Sequence, residues 1–442
     1  MARLERAERV TVPLVPALAP LSFQQQWLWN LARQYPEWNC VLSYAYRLSG
    51  SLDLEQLRNG IDVVFNRHDS LRTKIVLAER GVALDVDDPL ARRFEIVEVE
   101  GSAQQAVQEF CSQQLDPADA PLRLRLFRIS ATEHFLALAV HRVVADCHSI
   151  DQVFDELWAC YRGETASGST PMQYSAYTTR QRDNQPAWQR RHAKYWAERL
   201  RNAQPAQWSH DAVSSSATPS ALGDIKATLG AQLSNELKDA ARRCRTLAAN
   251  VMLALYVAAI AKWCKQTDFI VPFNMAGRQT EHRHVVGYFS HILFLRMTLT
   301  GRETYLELLS LVSNELFRAM SHQDFGIMAT ERADLLRGVY FQWLSWQAEA
   351  VAAPGTESAT LTKERVTIRD FGAGLTAVPA GMVDVELTFF DAPDAIQIRG
   401  VYPANRFSPA TMERFVDGLL TTCRTFVRAP DARVFEETAY TV

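Results

Sequence analysis

The sequence lacks any apolar run long enough to cross a bilayer. The longest, Val251 to Ala261, has eleven residues, whereas a spanning helix needs about 20. It also lacks the uninterrupted apolar core of a secretory leader: Met1 to Arg6 is charged, and Pro13, Pro16 and Pro20 break the stretch after it. Paired cysteines are missing. Cys40, Cys111, Cys147, Cys160, Cys244, Cys264 and Cys423 include no CxxC and are odd in number. That pattern argues against a disulfide framework or a structural zinc site and for reduced thiols, hence a cytoplasmic protein with no metal. A basic surplus is missing too. The 47 Lys+Arg and 50 Asp+Glu leave a net charge of −3, the wrong balance for a nucleic-acid partner. There is no G-x-S-x-G elbow, no Gly-rich phosphate loop and no H-E-x-x-H helix, and no resident cofactor is expected.

What is present is globular. The chain has 442 residues, 48% hydrophobic and 22% charged, enough for two or three domains of roughly 100–200 residues. Two stretches rich in Pro, Gly and Ser read as loops: Asn202 to Gly223 and Ala352 to Thr362. The first divides the chain into similar halves, giving expected units of 1–201 and 224–442 joined by a linker at 202–223. Leu52 to Arg67 has apolar residues at helical spacing, as do Gln104 to Gln114 and Ile150 to Tyr161. Leu122 to Ile129 alternates apolar and basic residues, and Phe135 to Val140 is more apolar; both read as strands. In the second half Leu233 to Cys264 reads as one long helical region. Phe269 to Phe273, His291 to Leu299 and Ala395 to Tyr402 read as strands. Strands and helices mixed in both halves predict two α/β lobes, with no short-period repeat.

Chemistry concentrates in Val140 to Ser149, which follows a buried strand and precedes a helix. His141, Arg142, Asp146, Cys147, His148 and Ser149 fall within nine residues. A turn in which Asp146 or Ser149 caps the next helix explains the pattern equally well. The histidines lack metal-ligand spacing, and Cys147 beside His148 in sequence is poorly placed for nucleophilic catalysis.

This stretch resembles a degenerate form of the His-His-x-x-x-Asp-Gly motif of nonribosomal peptide synthetase condensation domains and related acyltransferases. Further motifs come in the family's order. Ser22-Phe-Gln-Gln25-Gln-Trp-Leu28-Trp29-Asn-Leu31 resembles S-x-A-Q-x-R-L-W-x-L, and Arg67-His68-Asp-Ser-Leu71-Arg72-Thr73 resembles R-H-E-x-L-R-T. Tyr174 to Tyr177 and Tyr195-Trp196 fit the next region. Val286-Gly287-Tyr288-Phe289-Ser-His291 resembles I-G-x-F-V-N, His322-Gln323-Asp324 matches H-Q-D, and Val383 to Leu387 resembles the late F-D-L-x-L strand. The series spans about residues 20 to 430. It implies two chloramphenicol-acetyltransferase-like lobes in a V-shaped pseudo-dimer. Its tunnel lies between the lobes, and the crossover between lobes falls near Gly372 to Ala380.

The departures bear on activity. Arg142 stands where the family has the histidine beside the acceptor amine, and an arginine does not accept a proton. Cys147 replaces the closing glycine and His291 replaces a tunnel-lining asparagine. Arg278 matches the arginine that pairs with the motif's aspartate, implying an Asp146–Arg278 ion pair. Candidate catalytic residues are therefore Arg142, His141, Asp146 and His291, with Cys147, Ser149 and Tyr288 lining the substrate path. His141, Asp146, His68 and His322 also suit structural roles, and Trp27, Trp29, Trp343 and Trp346 suit packing. The charge run Glu5 to Arg9 suits a solvated arm. The resemblance implies a stand-alone condensation-type acyltransferase that joins a carrier-protein-bound acyl thioester to an amine or alcohol. The acyl group would ride on the phosphopantetheine of an acyl or peptidyl carrier protein met in trans. The competing reading is a non-catalytic module that binds a carrier protein and recruits a tailoring enzyme such as a cytochrome P450, because a known recruiting branch carries His-Arg-x-x-x-Asp-Asp.

Overall fold

The computed structural model describes residues 18–78, 81–86, 94–164, 171–211, 221–325, 332–345, 361–366, 378–379, 382–392 and 394–435. In chain order the first half contains β1 (Ala19–Pro20), α1 (Phe23–Gln34), β2 (Val41–Ser49), α2 (Leu54–Arg67), β3 (Thr73–Ala78), β4 (Gly81–Val86), β5 (Phe94–Glu98), α3 (Ala103–Ser112), β6 (Leu122–Arg128), β7 (Glu133–His141), α4 (Cys147–Tyr161) and α5 (Tyr174–Arg199). The second half contains β8 (Leu222–Thr228), α6 (Ala231–Arg243), α7 (Ala248–Cys264), β9 (Asp268–Met275), β10 (His291–Thr298), α8 (Tyr305–Met320), β11 (Val339–Ser345), β12 (Thr362–Val366), β13 (Val385–Asp391), β14 (Ile396–Pro403) and α9 (Pro409–Arg428).

Two main sheets organise two α/β lobes. The N-terminal sheet runs β12-β2-β7-β6-β5 and the C-terminal sheet β10-β9-β11-β13-β14-β8; a small sheet, β1-β4-β3, flanks the first. Strand alternation sorts the side chains. On β7, Leu136, Leu138 and Val140 join the core that holds Leu57, Ile61 and Val64 of α2 and Phe154 of α4. Ala137 and Ala139 face the opposite way, toward Val107 and Phe110 of α3. In the second sheet, Phe273, Phe341 and Phe389 stack across neighbouring strands, and Tyr256 of α7 packs on Phe341 and Phe389. Helix α5 ties the lobes together: Tyr174 and Tyr177 lie in the N-terminal core, and Trp196 lies in the C-terminal core.

Two expected features take a more specific form in the structure. The stretch 202–223 is only partly a linker. Ala203, Ala206 and Trp208 are buried in the C-terminal core, and Pro205 bridges Ile270, because apolar side chains among the loop formers find a core to enter. Residues 212–220 lie outside the described residues. The long region Leu233 to Cys264 is two helices. Arg245 takes a left-handed φ of 53°, and the axes differ by 107°. Helix α6 has one apolar stripe, whereas Val251 to Ala261 of α7 is buried on every side. A straight continuation could not satisfy both. Among the described residues a strand of the second half, β12, pairs antiparallel with β2 of the first. Most of the expected crossover at 372–380 and of the loop at 352–362, as well as residues 1–17, lies outside the described residues. Among the described residues no single helix is long and apolar enough to cross a membrane.

Candidate functional site

The turn between β7 and α4 is held from several sides. Val144 N–H donates to His141 O at 3.0 Å, and Val143 N–H donates to His141 Nδ1 at 3.2 Å. Gln25 Nε2 donates to Val143 O at 2.6 Å, and Ser70 Oγ donates to Val144 O. Thus the segment around Gln25 and the segment around Ser70, far away in sequence, both serve to fix the turn's carbonyls. A buried carbonyl without such a donor would cost stability.

The C-terminal lobe closes on the same turn. Arg278 Nη2 donates to Asp146 Oδ1 at 2.7 Å and to Ser149 Oγ at 2.6 Å. Its Nη1 donates to Val285 O at 2.6 Å, and the guanidinium lies over the Phe289 ring at 4.3 Å. Asp146 caps α4 by accepting Ser149 N–H at 2.9 Å, and its other oxygen accepts Phe289 N–H at 3.0 Å. Ser149 Oγ donates to Gly287 O at 2.7 Å and accepts Gly287 N–H at 2.9 Å. Asp146 and Ser149 are buried, and both are committed to the seam between lobes. Both polar side chains are thus occupied by contacts within the seam, Asp146 in the expected pair with Arg278.

Gly287 belongs to this seam by close approach. A Cβ there would sit 2.0 Å from a ring carbon of Tyr174. That ring is buried, and its hydroxyl donates to Tyr288 O beside Ser22 Oγ, so it has no room to swing. Gly287→Ala should destabilise the protein by about 1–3 kcal/mol through overpacking. An unchanged urea midpoint would show that the seam relaxes freely.

His141 is buried, and burial together with the charge of Arg142 lowers its pKa to about 3. It is a neutral, buried imidazole. An unfolded histidine takes up its proton near 6.5, the folded one only near 3. Between those values the unfolded chain binds more protons, so this stability is whole above pH 6.5 and is lost as pH falls toward 3. His192, His282, His291 and His322, lowered chiefly by burial, act in the same direction. His141→Gln should lose stability less steeply than wild type between about pH 6.5 and about pH 5. Equal slopes in denaturant titrations would contradict the assignment.

Arg142 lies where groups of both halves meet, with Cys40 and Cys147 from the first and Glu386 from the second acting on it. Its backbone N–H donates to Cys40 O at 2.9 Å, and its guanidinium lies 5.9 Å from the Trp38 ring centroid. The side chain keeps some exposed surface, yet protein groups enclose its charged end. Burial alone would lower its pKa. Its pKa is nevertheless raised, and among the groups acting on it Glu386 is the carboxylate, so the group stays a cation and a hydrogen-bond donor. Burial raises the Cys147 thiol, although Arg142 and a hydrogen bond with Tyr44 oppose the rise. Burial likewise raises Tyr288. Cys147 and Tyr288 stay beside Arg142 as protonated groups.

His291 is placed elsewhere. In the register, His291 pairs with Met275 and Leu293 with Phe273, which puts His291 on the face that Phe273 shares with Phe341 and α7. Tyr340 and Glu386, which are direct partners on β11 and β13, occupy the alternate face, and both interact electrostatically with Arg142. His291 Nδ1 lies 3.2 Å from Phe289 O, its Nε2 is buried without a hydrogen-bond partner, and the acidic group acting on it is Asp324. The register thus sets His291 on the face opposite Tyr340 and Glu386. Sequence reasoning missed Glu386, only 3% exposed. Its signal was a lone carboxylate in Val385 to Phe390, where Thr388 is the one other polar residue.

The condensation-domain family profile matches residues 17–441. A linear gramicidin synthase of Brevibacillus parabrevis is 28% identical over 427 residues, covering 91% of this chain, which spans 5% of that protein's length. Among solved structures, the condensation domain of the Monacolin K polyketide synthase MokA aligns with a TM-score of 0.77 at 19% identity, over 95% of this chain and 99% of that one. The X-domain from teicoplanin biosynthesis, solved in complex with OxyB, aligns with a TM-score of 0.76 at 22% identity, over 100% and 99%.

Proposed function

Because the chain belongs to the condensation-domain family, we propose that it binds the acyl or peptidyl thioester delivered by a carrier protein and presents it to a recruited tailoring oxygenase, without forming a bond itself. The observation that carries this reading is Arg142, a permanent cation whose charged end is enclosed by protein groups, where the resembled motif has a proton-accepting histidine. Two further observations support it: His141 is buried and neutral, and His291 lies on the other face of its sheet. Cys147 is held as a thiol. Recruitment of an oxygenase is supported by likeness in fold to the teicoplanin X-domain, a protein solved with OxyB bound.

Acyl transfer is the competing reading, favoured by the same side chain in another role. Arg142 can donate to a tetrahedral oxyanion, and positioning alone supplies about 7–11 kcal/mol toward bond formation. The two separate cleanly. Wild-type protein is mixed with a carrier protein bearing an acyl-phosphopantetheine and with amine or alcohol acceptors, and products are followed by mass spectrometry. Carrier and oxygenase binding are measured by calorimetry. Binding with no amide or ester is the expected result. Product that forms with wild type and falls about 10²–10³-fold in Arg142→Ala would establish acyl transfer instead.

A further inference from the structure

We propose that His192 and His322 form an acid-opened latch that holds the turn at 322–325 against the inter-lobe helix α5. His192 lies on the buried side of α5 and is 2% exposed. His322 comes just after α8 and leads into the 3-10 turn Gln323–Phe325. Their Nδ1 atoms face each other at 2.9 Å, with the rings nearly perpendicular at 87°. Tyr195 stacks flat on His322, with centroids 4.0 Å apart at 5°, and Trp196 Nε1 donates to His322 O at 3.0 Å.

Two imidazole nitrogens at that distance share one proton: one donates and the other accepts. One extra proton can sit on an outer Nε2 and leave the contact intact, but charging both rings would set two N–H groups against each other, so full protonation requires the rings to part. The surroundings make the closed pair neutral. Burial lowers both groups, His322 opposes charge on His192, and Arg191 opposes charge on both. Asp324 favours charge on His192 but also acts on His282 and His291. From α8, Glu315 and Arg318 act on Tyr195 of this cluster, as does Arg199 from α5; Glu315 and Arg199 are paired with each other at 2.6 Å. The latch reaches the inter-lobe seam, because Gln279 Nε2, next to Arg278, donates to Asp324 Oδ1 at 3.3 Å.

Hydrogen–deuterium exchange on the full chain, read by mass spectrometry and corrected for the intrinsic pH dependence of exchange, tests the latch. Between about pH 7.5 and about pH 5.5, protection of peptides covering 317–325 should fall, approaching about tenfold per pH unit for one proton taken up on opening. Peptides from α7 should keep their protection. In His322→Phe, which preserves the stack on Tyr195 but has no facing nitrogen, and in His192→Gln, protection of the turn should no longer track pH. Wild-type protection that ignores pH would overturn the proposal, as would retention of the wild-type pH dependence in either folded variant. If His322→Phe does not fold, His192→Gln decides alone.

Discussion

Replacing Arg278 with alanine should cost about 3–5 kcal/mol of stability, the usual result of leaving one charge of a buried pair without its partner. The Arg278 and Asp146 side chains are 6% and 3% exposed, so water cannot replace the lost guanidinium. The same substitution strips a donor from Ser149 Oγ and from Val285 O and uncovers the Phe289 ring. Arg278→Lys should recover only part of the loss, since one ammonium cannot reach these acceptors in the fork geometry that the guanidinium spans. Urea titration of the three proteins measures the effect. A difference under about 1 kcal/mol, the range of exposed pairs, would mean that the seam is solvated in solution.

Trp196→Ala should be of similar size, about 3–5 kcal/mol, because it empties a large site in a packed core. Trp196 is 1% exposed and anchors the far end of α5, whose near end is held by Tyr174 and Tyr177 in the other lobe. The cavity cannot collapse easily, because Asp69 fixes the start of the helix by accepting Tyr174 N–H at 2.9 Å and Ser175 N–H at 3.0 Å. The variant also removes the indole donor to His322 O. Two signals are expected together: a lower denaturation midpoint, and weaker exchange protection of the turn at 322–325. A large stability loss that leaves the turn fully protected would separate core packing from the turn.

Much of the framework was legible in the residues. Amphipathic spacing located α2, α3 and α4 within a few positions, and alternation located β6. The ordered motifs pointed to the family whose profile spans residues 17–441. These features are local, or depend on residue identity alone. The composition of α7 was equally plain, but the break at Arg245 was not. No Gly or Pro marks it, and it exists because an amphipathic helix and a fully buried one must point in different directions.

What the sequence alone determined is which segments are helix or strand and which side chains stand at the motif positions: Arg142 in place of a histidine, Asp146 and Arg278 in their places. Hydrophobic periodicity reports a segment's own dihedrals and its buried face, and nothing about its partner. Tertiary structure decided the rest. Strand register turned His291 away from Arg142 and brought Glu386 toward it. The pairing of β12 with β2 carried a strand from one half into the other half's sheet. The approach of Tyr174 to Gly287 closed the seam. A one-residue shift in register reverses the face of every side chain on a strand, and the correct register emerges only when both faces of both sheets are buried together.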